Sequence, residues 1–289
     1  MDANTLSKTI TLIGAGGKMG CRLMDNLLRG KDRLLFCETS DVGIGRIAER
    51  GRSVTPVERA LPESDVVILA VPDALIGSIS KQVVPQMKSG AILILLDPAA
   101  AYANQVAERD DIGVVVTHPC HPALFDEQET LEARQDMFGG IAAKQDIVIA
   151  LHQGNEEQLA IAEGICIRMF APVVTCHRIT VEQMALLEPA AAEVVAAAAA
   201  CIMKEAMDEV VRMGVPEAAA RSFMLGHIQI PLAIAFNQVN PFSDAARIAI
   251  DYGYETIFQP DWKKVFTKES LQEVLKRMLH LEQEQECRG

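Results

Sequence analysis

Short apolar runs alternate with longer amphipathic stretches through the first 179 residues. The run DVVILAV at 65–71 is apolar almost throughout, as expected of a strand buried on both faces of a parallel sheet. Further strands are predicted at 9–13, 34–37, 91–96, 114–117, 146–151 and 173–178. Helical segments separate several of these strands, and residues 156–170 also read as a helix. This alternation predicts the α/β class, with a doubly wound parallel sheet.

The pattern changes at residue 180, where strand-like runs stop. Residues 180–213 form one helical segment interrupted by Pro189, and residues 217–237 form another that contains Pro231. Residues 268–285 have the alternation of an amphipathic surface helix. The sequence therefore predicts two domains, an α/β domain at 1–179 and an all-helical C-terminal domain at 180–289. The alanine-rich stretch at 190–203 suits close helix packing and favours a homodimer formed through the helical domain.

A glycine-rich turn joins the first strand to the first helix. In ITLIGAGGKMG, the spacing follows GxxGxxG through Gly14, Gly17 and Gly20, since Met19 stands where GxGxxG needs its third glycine. Gly14 permits a tight turn, Gly16 or Gly17 permits close approach of a pyrophosphate, and Gly20 permits helix–sheet packing. In this strand–turn–helix context the motif predicts a Rossmann-type dinucleotide site, with phosphate bound at the helix start.

Glu38 ends the second strand, about 20 residues beyond the glycines, where the fingerprint places a ribose-binding acid. Because its charge would repel a 2′-phosphate, we predict NAD rather than NADP. Asp73 follows the third strand, and either lines the site or caps a helix. The predicted cofactor contacts are Gly14, Ala15, Gly16, Gly17, Lys18, Met19, Glu38, Val71, Pro72 and Asp73.

Candidate chemistry follows the fifth strand, in the segment THPCHPALF. His118 and His121 both precede proline, which disfavours helix and predicts a stiff, extended turn. Such a turn could present His118 to a cleft, whereas His121 is more simply read as a loop histidine satisfied by hydrogen bonds. Cys120 is a minor candidate ligand.

Glu188 directly precedes Pro189, which removes a helical amide and predicts a kink. His118 and Glu188 are a possible pair of ligands for one divalent metal, zinc or a similar ion, with water or substrate oxygens completing the shell. The competing candidate, Lys204, has Asp208 four residues on and reads equally well as part of a solvated face. An equally simple interpretation of Glu188 is a partly exposed acidic residue of a helix. A role for His227 stays open.

The net charge of −12 disfavours nucleic acid and anionic membranes as partners. The N-terminus has no basic and apolar signal pattern, and the stretch at 190–203 is too short and too charged for a membrane span. Seven scattered cysteines without a paired motif favour a reduced, cytoplasmic protein.

Together, the GAGGKMG turn, Glu38, the THPCHP segment and the LLEPAAAEV helix resemble the D-apionate oxidoisomerase family. The resemblance covers nearly the whole chain, and the segments around His118 and Glu188 are its more specific part. It implies a helical domain like the C-terminal part of phosphogluconate dehydrogenase. It also implies NAD-linked oxidation of D-apionate, a small sugar acid, with rearrangement to 3-oxo-isoapionate in apiose catabolism. His118 and Glu188 are carried over as the catalytic metal ligands.

The chemistry implied is an α-ketol shift, like a ketol-acid reductoisomerase run backwards. The helical domain lacks a confident DxxxE metal motif, because Glu205 and Glu209 look solvated, which suggests a single metal. Two alternatives stay open. One is a metal-free, NAD-dependent hydroxy-acid dehydrogenase without rearrangement, and the other is a non-enzymatic regulator that senses nicotinamide nucleotides.

Overall fold

Seven strands form one sheet in the computed structural model of the protein, which describes residues 7–281. They are β1 Thr9–Ile13, β2 Arg33–Cys37, β3 Val66–Leu69, β4 Ile92–Leu95, β5 Gly113–His121, β6 Gln145–Gln153 and β7 Val173–Arg178. Their order is β2-β1-β3-β4-β5-β6-β7. Every predicted strand is therefore confirmed. The order reverses direction between β1 and β3, and such a switch point opens a crevice at the carboxyl ends of the strands.

The pairing is parallel from β2 through β5, as predicted, but β6 runs antiparallel to β5. β7 pairs parallel to β6, so these two strands run opposite to the other five. A parallel pair needs a crossover of a dozen or more residues, usually a helix, whereas an antiparallel pair does not. The β5–β6 connection contains only the five-residue helix Leu131–Gln135, so the chain returns beside β5 in the opposite direction.

Helices cover both faces of this sheet. They are α1 Lys18–Leu27, α2 Asp41–Glu49, α3 Val57–Ala60, α4 Asp73–Val83, α5 Ala99–Tyr102, α6 Leu131–Gln135 and α7 Glu156–Met169. Alternate residues of β3 enter different cores: Ile68 packs in the core that contains α1 and α7 residues, and Val67 in the core that contains α4 residues. The two-sided burial inferred from DVVILAV is thus confirmed.

The chain divides into two compact units. The first contains the described residues up to Ala185 and those from Gln272 on, and the second is Leu186–Leu271. The sequence division at residue 179 differs mainly in assigning the C-terminal segment to the helical part. The second unit consists of helices and turns, with π-helix Leu186–Ala197, α9 Ala198–Arg212, α10 Glu217–Ala235, α11 Asp244–Thr256 and the 3₁₀ segment Trp262–Phe266. The last helix, α12, is Lys268–Met278; the predicted end at 285 lies outside the described residues.

The segment THPCHP is not the turn that the two prolines predicted. β5 continues through it to His121, and its pairing with β6 continues to His121 as well. β5 pairs with β4 only as far as Val116, so Pro119 has a strand on one side only. A proline without an amide donor is tolerated at such a one-sided position.

One continuous helical run covers 181–212, and Pro189 does not end it. The run starts with α8, Val181–Ala185, and passes through the π-helical segment into α9. By length and composition this run could cross a membrane, and 11% of its most apolar window is buried. From the sequence, a membrane span was excluded because the stretch 190–203 is too short. The helix of the structure covers 32 residues, so this argument from length does not hold. One such helix among the described residues is weak evidence for a membrane span.

Candidate cofactor and metal site

The glycine turn follows β1 at the switch point of the sheet. It can pack closely there because three of its residues have no side chain. Gly14 has a φ of +77°, and a Cβ there would overlap the carbonyl oxygen of Ala70 at the end of β3. A Cβ on Gly20 would overlap Gly14 and Ala15, and one on Gly16 would overlap the backbone of Gly43 in α2. The turn is therefore pressed against both neighbouring elements, which leaves its outer side open to a ligand.

Most amides of the turn are already engaged within the protein. Gly14 and Ala15 donate to the carbonyl oxygen of Cys37, at 2.9 and 3.2 Å, and Gly17 donates to that of Gly14 at 3.1 Å. Among the described residues, the Lys18 and Met19 amides at the start of α1 make no hydrogen bond. These two amides, at the positive end of the helix dipole, are the donors that a pyrophosphate can use.

Glu38 folds back over the turn. Its Oε1 accepts from the Thr39 amide at 2.8 Å and from the amide and hydroxyl of Ser40, while Oε2 accepts from the Gly16 amide at 3.0 Å. Burial by itself raises the pKa of Glu38, but these hydrogen bonds outweigh it and hold the pKa below its usual range. A carboxylate offers about four acceptor sites. Oε2 therefore has room to accept a hydrogen bond from one ribose hydroxyl.

Val71, Pro72 and Asp73 follow β3 at the same crevice, and Asp73 is the first residue of α4 after Pro72 at the N-cap. Asp73 therefore does not cap the helix. It lines a cleft of about 340 Å³ together with Lys81, Gln105 and other residues of the first unit. Desolvation raises the pKa of Asp73.

A second group of polar side chains forms at the carboxyl ends of β4 and β5. Asp97 follows β4, His118 lies near the end of β5, and Glu188 is the third residue after Ala185 in the helical run. Each offers one ligand atom, and these atoms all lie within 4.8 Å of one another. The structure thus brings His118 and Glu188 together, as the metal prediction requires, and adds Asp97.

The ring of His118 is held in one orientation. Its Nδ1 lies 2.8 Å from the carbonyl oxygen of Pro119, and a carbonyl only accepts, so Nδ1 carries the proton and Nε2 the lone pair. Burial lowers the pKa of His118 to about 4. A neutral imidazole whose other nitrogen is bonded to a backbone carbonyl is the usual form of a histidine metal ligand.

The carboxylates are positioned by their own backbone surroundings. Asp97 is 5% exposed, and its Oδ1 accepts from the Ala99 amide at 2.7 Å. Glu188 lies in the π-helical segment, where the wider turn accommodates Pro189, which has no amide to donate. Such segments are frequent at functional sites. Two carboxylate oxygens and one imidazole nitrogen are a donor set that suits zinc, manganese or a similar divalent ion.

The other candidates from the sequence are not members of the ligand group. Lys204 is exposed and pairs with Asp208 four residues on, as the solvated-face interpretation predicted. His227 stacks on Phe223 and bonds its carbonyl oxygen. His121 bonds the carbonyl oxygen of Phe138 at 2.9 Å, and its ring packs edge-on to that of His118, with 5.9 Å between centroids. Cys120 is not in the ligand group.

Sequence reasoning missed Asp97. A signal was available, because LLDP at 95–98 repeats the arrangement of VPD at 71–73, an acid directly after a buried strand. Parallel strands end at the same edge of the sheet, so this acid belongs to the same edge as Asp73. Arg46, whose Nη1 donates to the carbonyl oxygen of Gly16 at 3.0 Å, was also missed.

Comparisons with known proteins agree with this architecture. Residues 5–171 match the family profile "Acetohydroxy acid isomeroreductase, NADPH-binding domain", and residues 126–279 match "Phosphogluconate dehydrogenase (decarboxylating) C-term". The solved structure of a semialdehyde dehydrogenase NAD-binding protein from Cupriavidus necator, in complex with calcium and NAD, has a TM-score of 0.92. It is 45% identical, and the alignment covers 94% of this chain and 100% of that one.

Curated relatives are similar over nearly their full lengths. The D-apionate oxidoisomerase of Pectobacterium atrosepticum is 49% identical, with 95% of this chain and 97% of that protein covered. The D-apionate oxidoisomerase of Cupriavidus necator is 46% identical, with 94% and 100% covered. The resemblance stated from the sequence is therefore confirmed, and the chain belongs to the D-apionate oxidoisomerase family.

Proposed function

We propose that the protein oxidises D-apionate with NAD and rearranges its carbon skeleton to 3-oxo-isoapionate. The observation that carries this proposal is the group Asp97, His118 and Glu188, in a chain that also has a dinucleotide-type turn and is 49% identical to a D-apionate oxidoisomerase. A plain dehydrogenase needs the turn and an acid–base group. An α-ketol rearrangement needs in addition a metal ion that can bind two neighbouring substrate oxygens, and therefore a group of protein ligands that would hold that ion.

The proposed cofactor is NAD. The amides of Lys18 and Met19 hold the pyrophosphate, and Glu38 Oε2 accepts a hydrogen bond from one ribose hydroxyl. The similar structure from Cupriavidus necator contains NAD, which supports this choice. Because hydrogen bonds keep Glu38 ionised at neutral pH, a 2′-phosphate would meet a full negative charge.

The proposed metal site is Asp97, His118 and Glu188, with one divalent ion. When bound, such an ion supplies Lewis acidity to the ketone and the neighbouring hydroxyl oxygen of the oxidised substrate. The chain's own part is to hold the donors. The Pro119 carbonyl directs the Nε2 lone pair of His118, the Ala99 amide orients Asp97, and the π-helical segment carries Glu188. The similar structure from Cupriavidus necator contains calcium, which supports a divalent ion at this site. Zinc stays a prediction from the sequence.

The reaction balances in two parts. Oxidation removes a hydride and a proton from the secondary alcohol next to the carboxylate and leaves a ketone. The hydroxymethyl group then moves from the tertiary alcohol carbon to the ketone carbon. The tertiary hydroxyl loses its proton and becomes the new ketone, and the old ketone oxygen gains a proton. The second part changes no atom count, so only the first consumes an oxidant.

Product analysis tests this proposal. Purified protein is incubated with D-apionate and NAD, NADH is followed by absorbance, and the product is identified by ¹³C NMR. We expect one NADH per 3-oxo-isoapionate formed. A product with the unrearranged skeleton would show a simple dehydrogenase, and NAD binding without turnover of any hydroxy acid would favour a regulator.

We further propose that the helical unit, Leu186–Leu271, forms a homodimer in the cytoplasm and contributes to substrate binding. Many large apolar side chains of this unit are exposed, with Ile248 at 71%, Tyr252 at 66% and Phe223 at 61%. Exposed apolar surface on this scale marks an interaction surface. We propose a second copy as the partner rather than a bilayer, because the same unit carries charged helix faces with ion pairs such as Lys204–Asp208 and Arg212–Glu209.

A further inference from the structure

Gly16 is held at both of its backbone groups by charged side chains from different elements. Glu38, after β2, accepts from the Gly16 amide at 3.0 Å. Arg46, in α2, donates from Nη1 to the Gly16 carbonyl oxygen at 3.0 Å. A carboxylate and a guanidinium therefore meet at a single residue of the cofactor turn.

Packing between α2 and the turn fixes this arrangement. Gly43 has no side chain, and a Cβ there would overlap the carboxyl group of Glu38. The Gly43 amide donates to Ser40 Oγ at 3.1 Å, and that hydroxyl donates to Glu38 Oε1 at 3.1 Å. Arg46 lies three residues after Gly43, on the same face of α2, and so faces the turn. The positions of Glu38 and Arg46 are thus coupled through the start of α2.

Arg46 has more unused N–H donors than its neighbour Arg50, whose charge is already paired with Asp25. Arg50 uses Nε and Nη2 on the two carboxylate oxygens of Asp25 and Nη1 on the Arg46 carbonyl. Of the five N–H donors of Arg46, one is used within the described residues. Arg46 also lines a cleft of about 860 Å³ in which five basic residues outnumber two acidic ones: Lys18, Arg22, Arg29, Arg46 and Arg50 against Asp25 and Glu49.

We propose that Arg46 is a second determinant of cofactor choice, paired with Glu38 at the 2′ position of the adenosine ribose. This inference rests on the proposed NAD-dependent function. Glu38 accepts the 2′-hydroxyl and repels a 2′-phosphate. Arg46 supplies the fork of donors that binds a phosphate, and the charge of Glu38 alone keeps this binding from taking place.

A double-mutant cycle on cofactor affinity tests the pairing without any substrate. The dissociation constants of NAD and NADP are measured by calorimetry for the wild type, Glu38→Gln, Arg46→Ala and the double variant. We expect Glu38→Gln to bind NADP at least tenfold more tightly than the wild type. In the double variant most of that gain is lost. For NAD, by contrast, Arg46→Ala should change the affinity by the same factor in the Glu38→Gln background as in the wild type.

Arg50→Ala is the matched control, since it removes a neighbouring positive charge that is already paired; combined with Glu38→Gln it should keep the NADP gain. Glu38→Ser replaces Glu38→Gln if the latter does not fold, as judged by thermal unfolding. A double variant that keeps the full NADP gain would overturn the inference. The inference would also be overturned if the coupling energy between Glu38 and Arg46 were the same for NAD and for NADP, since Arg46 would then only support the turn. A wild type that binds neither cofactor would instead overturn the proposed function.

Discussion

At the residue scale, the cofactor turn depends on backbone approaching backbone. Gly16 faces Gly43 of α2, and this contact has no room for a methyl group because the clashing atoms are main chain. Gly45 lies two residues further along α2, and a Cβ there would meet no atom of the described residues within 4 Å, so this position tolerates a side chain. Gly16 is therefore required by close packing of the backbone, whereas Gly45 is not.

We predict that Gly16→Ala weakens NAD binding at least tenfold, because α2 must move away from the turn, which also displaces Glu38. Gly45→Ala should leave NAD affinity unchanged and stabilise the protein by about 0.5–1 kcal/mol, as alanine does in helix interiors. Titration with NAD and thermal unfolding measure both effects. Equal NAD affinity of the two variants would contradict the packing described for the turn.

What the sequence could predict at this scale was what local spacing encodes. The turn and Glu38 each follow a strand at a recognisable distance, and His118 follows the predicted strand 114–117, which the structure extends to His121. The structure places all three at the carboxyl edge of the sheet. Arg46 could not be predicted, since its contact with Gly16 joins residues 30 apart on different elements. The one-hydroxyl capacity of Glu38 depends on hydrogen bonds that no pattern shows.

At the element scale, the connection from α6 to β6 is organised by one buried carboxylate. Asp136 Oδ2 accepts from the amides of Ile141, Ala142 and Ala143, and Oδ1 accepts from Arg22 at 3.0 Å. Burial alone raises the pKa of Asp136, but these donors outweigh it and hold the pKa below its usual range. The charged form is therefore stabilised by folding.

We predict that Asp136→Asn lowers the free energy of unfolding at pH 7 by about 2–3 kcal/mol, since charged hydrogen bonds are lost in a buried site. The contribution of Asp136 is fully present above the ordinary aspartate pKa of about 3.9 and is lost as pH falls through the lower folded-state pKa. The variant should therefore lose less stability than the wild type below about pH 4. Urea unfolding between pH 3 and 7 measures this.

Asp25→Asn is the control for Asp136→Asn. Asp25 is 46% exposed and pairs with Arg50 at the surface, so its loss should cost under about 1 kcal/mol. Similar losses for the two variants would contradict the role given to Asp136. The direction of β6 was not predicted from the sequence, because an apolar run such as 146–151 carries no information on strand direction.

At the scale of the whole molecule, the proposed dimer accounts for an exposed apolar surface that a monomer would leave in water. Ile248 and Tyr252 are four residues apart on α11 and so share one face of that helix. Val42 in α2, 67% exposed, offers a control of equal exposure in the first unit.

We predict a solution mass of twice the 31.4 kDa of the chain at micromolar concentration. The double variant Ile248→Glu/Tyr252→Glu should weaken the dimer at least tenfold, because two charges would be buried without partners. Val42→Glu should leave the dimer unchanged. Light scattering and sedimentation velocity measure these masses, and a monomeric wild type would contradict the proposed dimer.

The central claim is that Asp97, His118 and Glu188 hold one divalent ion that the rearrangement needs and NAD binding does not. Its most direct test is metal content by elemental analysis, measured together with turnover of D-apionate and NAD affinity, in the wild type and in Asp97→Asn, His118→Ala and Glu188→Ala. We predict about one ion per wild-type chain, none in His118→Ala or Glu188→Ala and little in Asp97→Asn. Turnover should fall with the metal and NAD affinity should stay within about twofold, a change of roughly 0.4 kcal/mol. A wild type that contains no metal and remains fully active in a strong chelator would contradict this claim, and would leave His118 as an acid–base residue of a simple dehydrogenase.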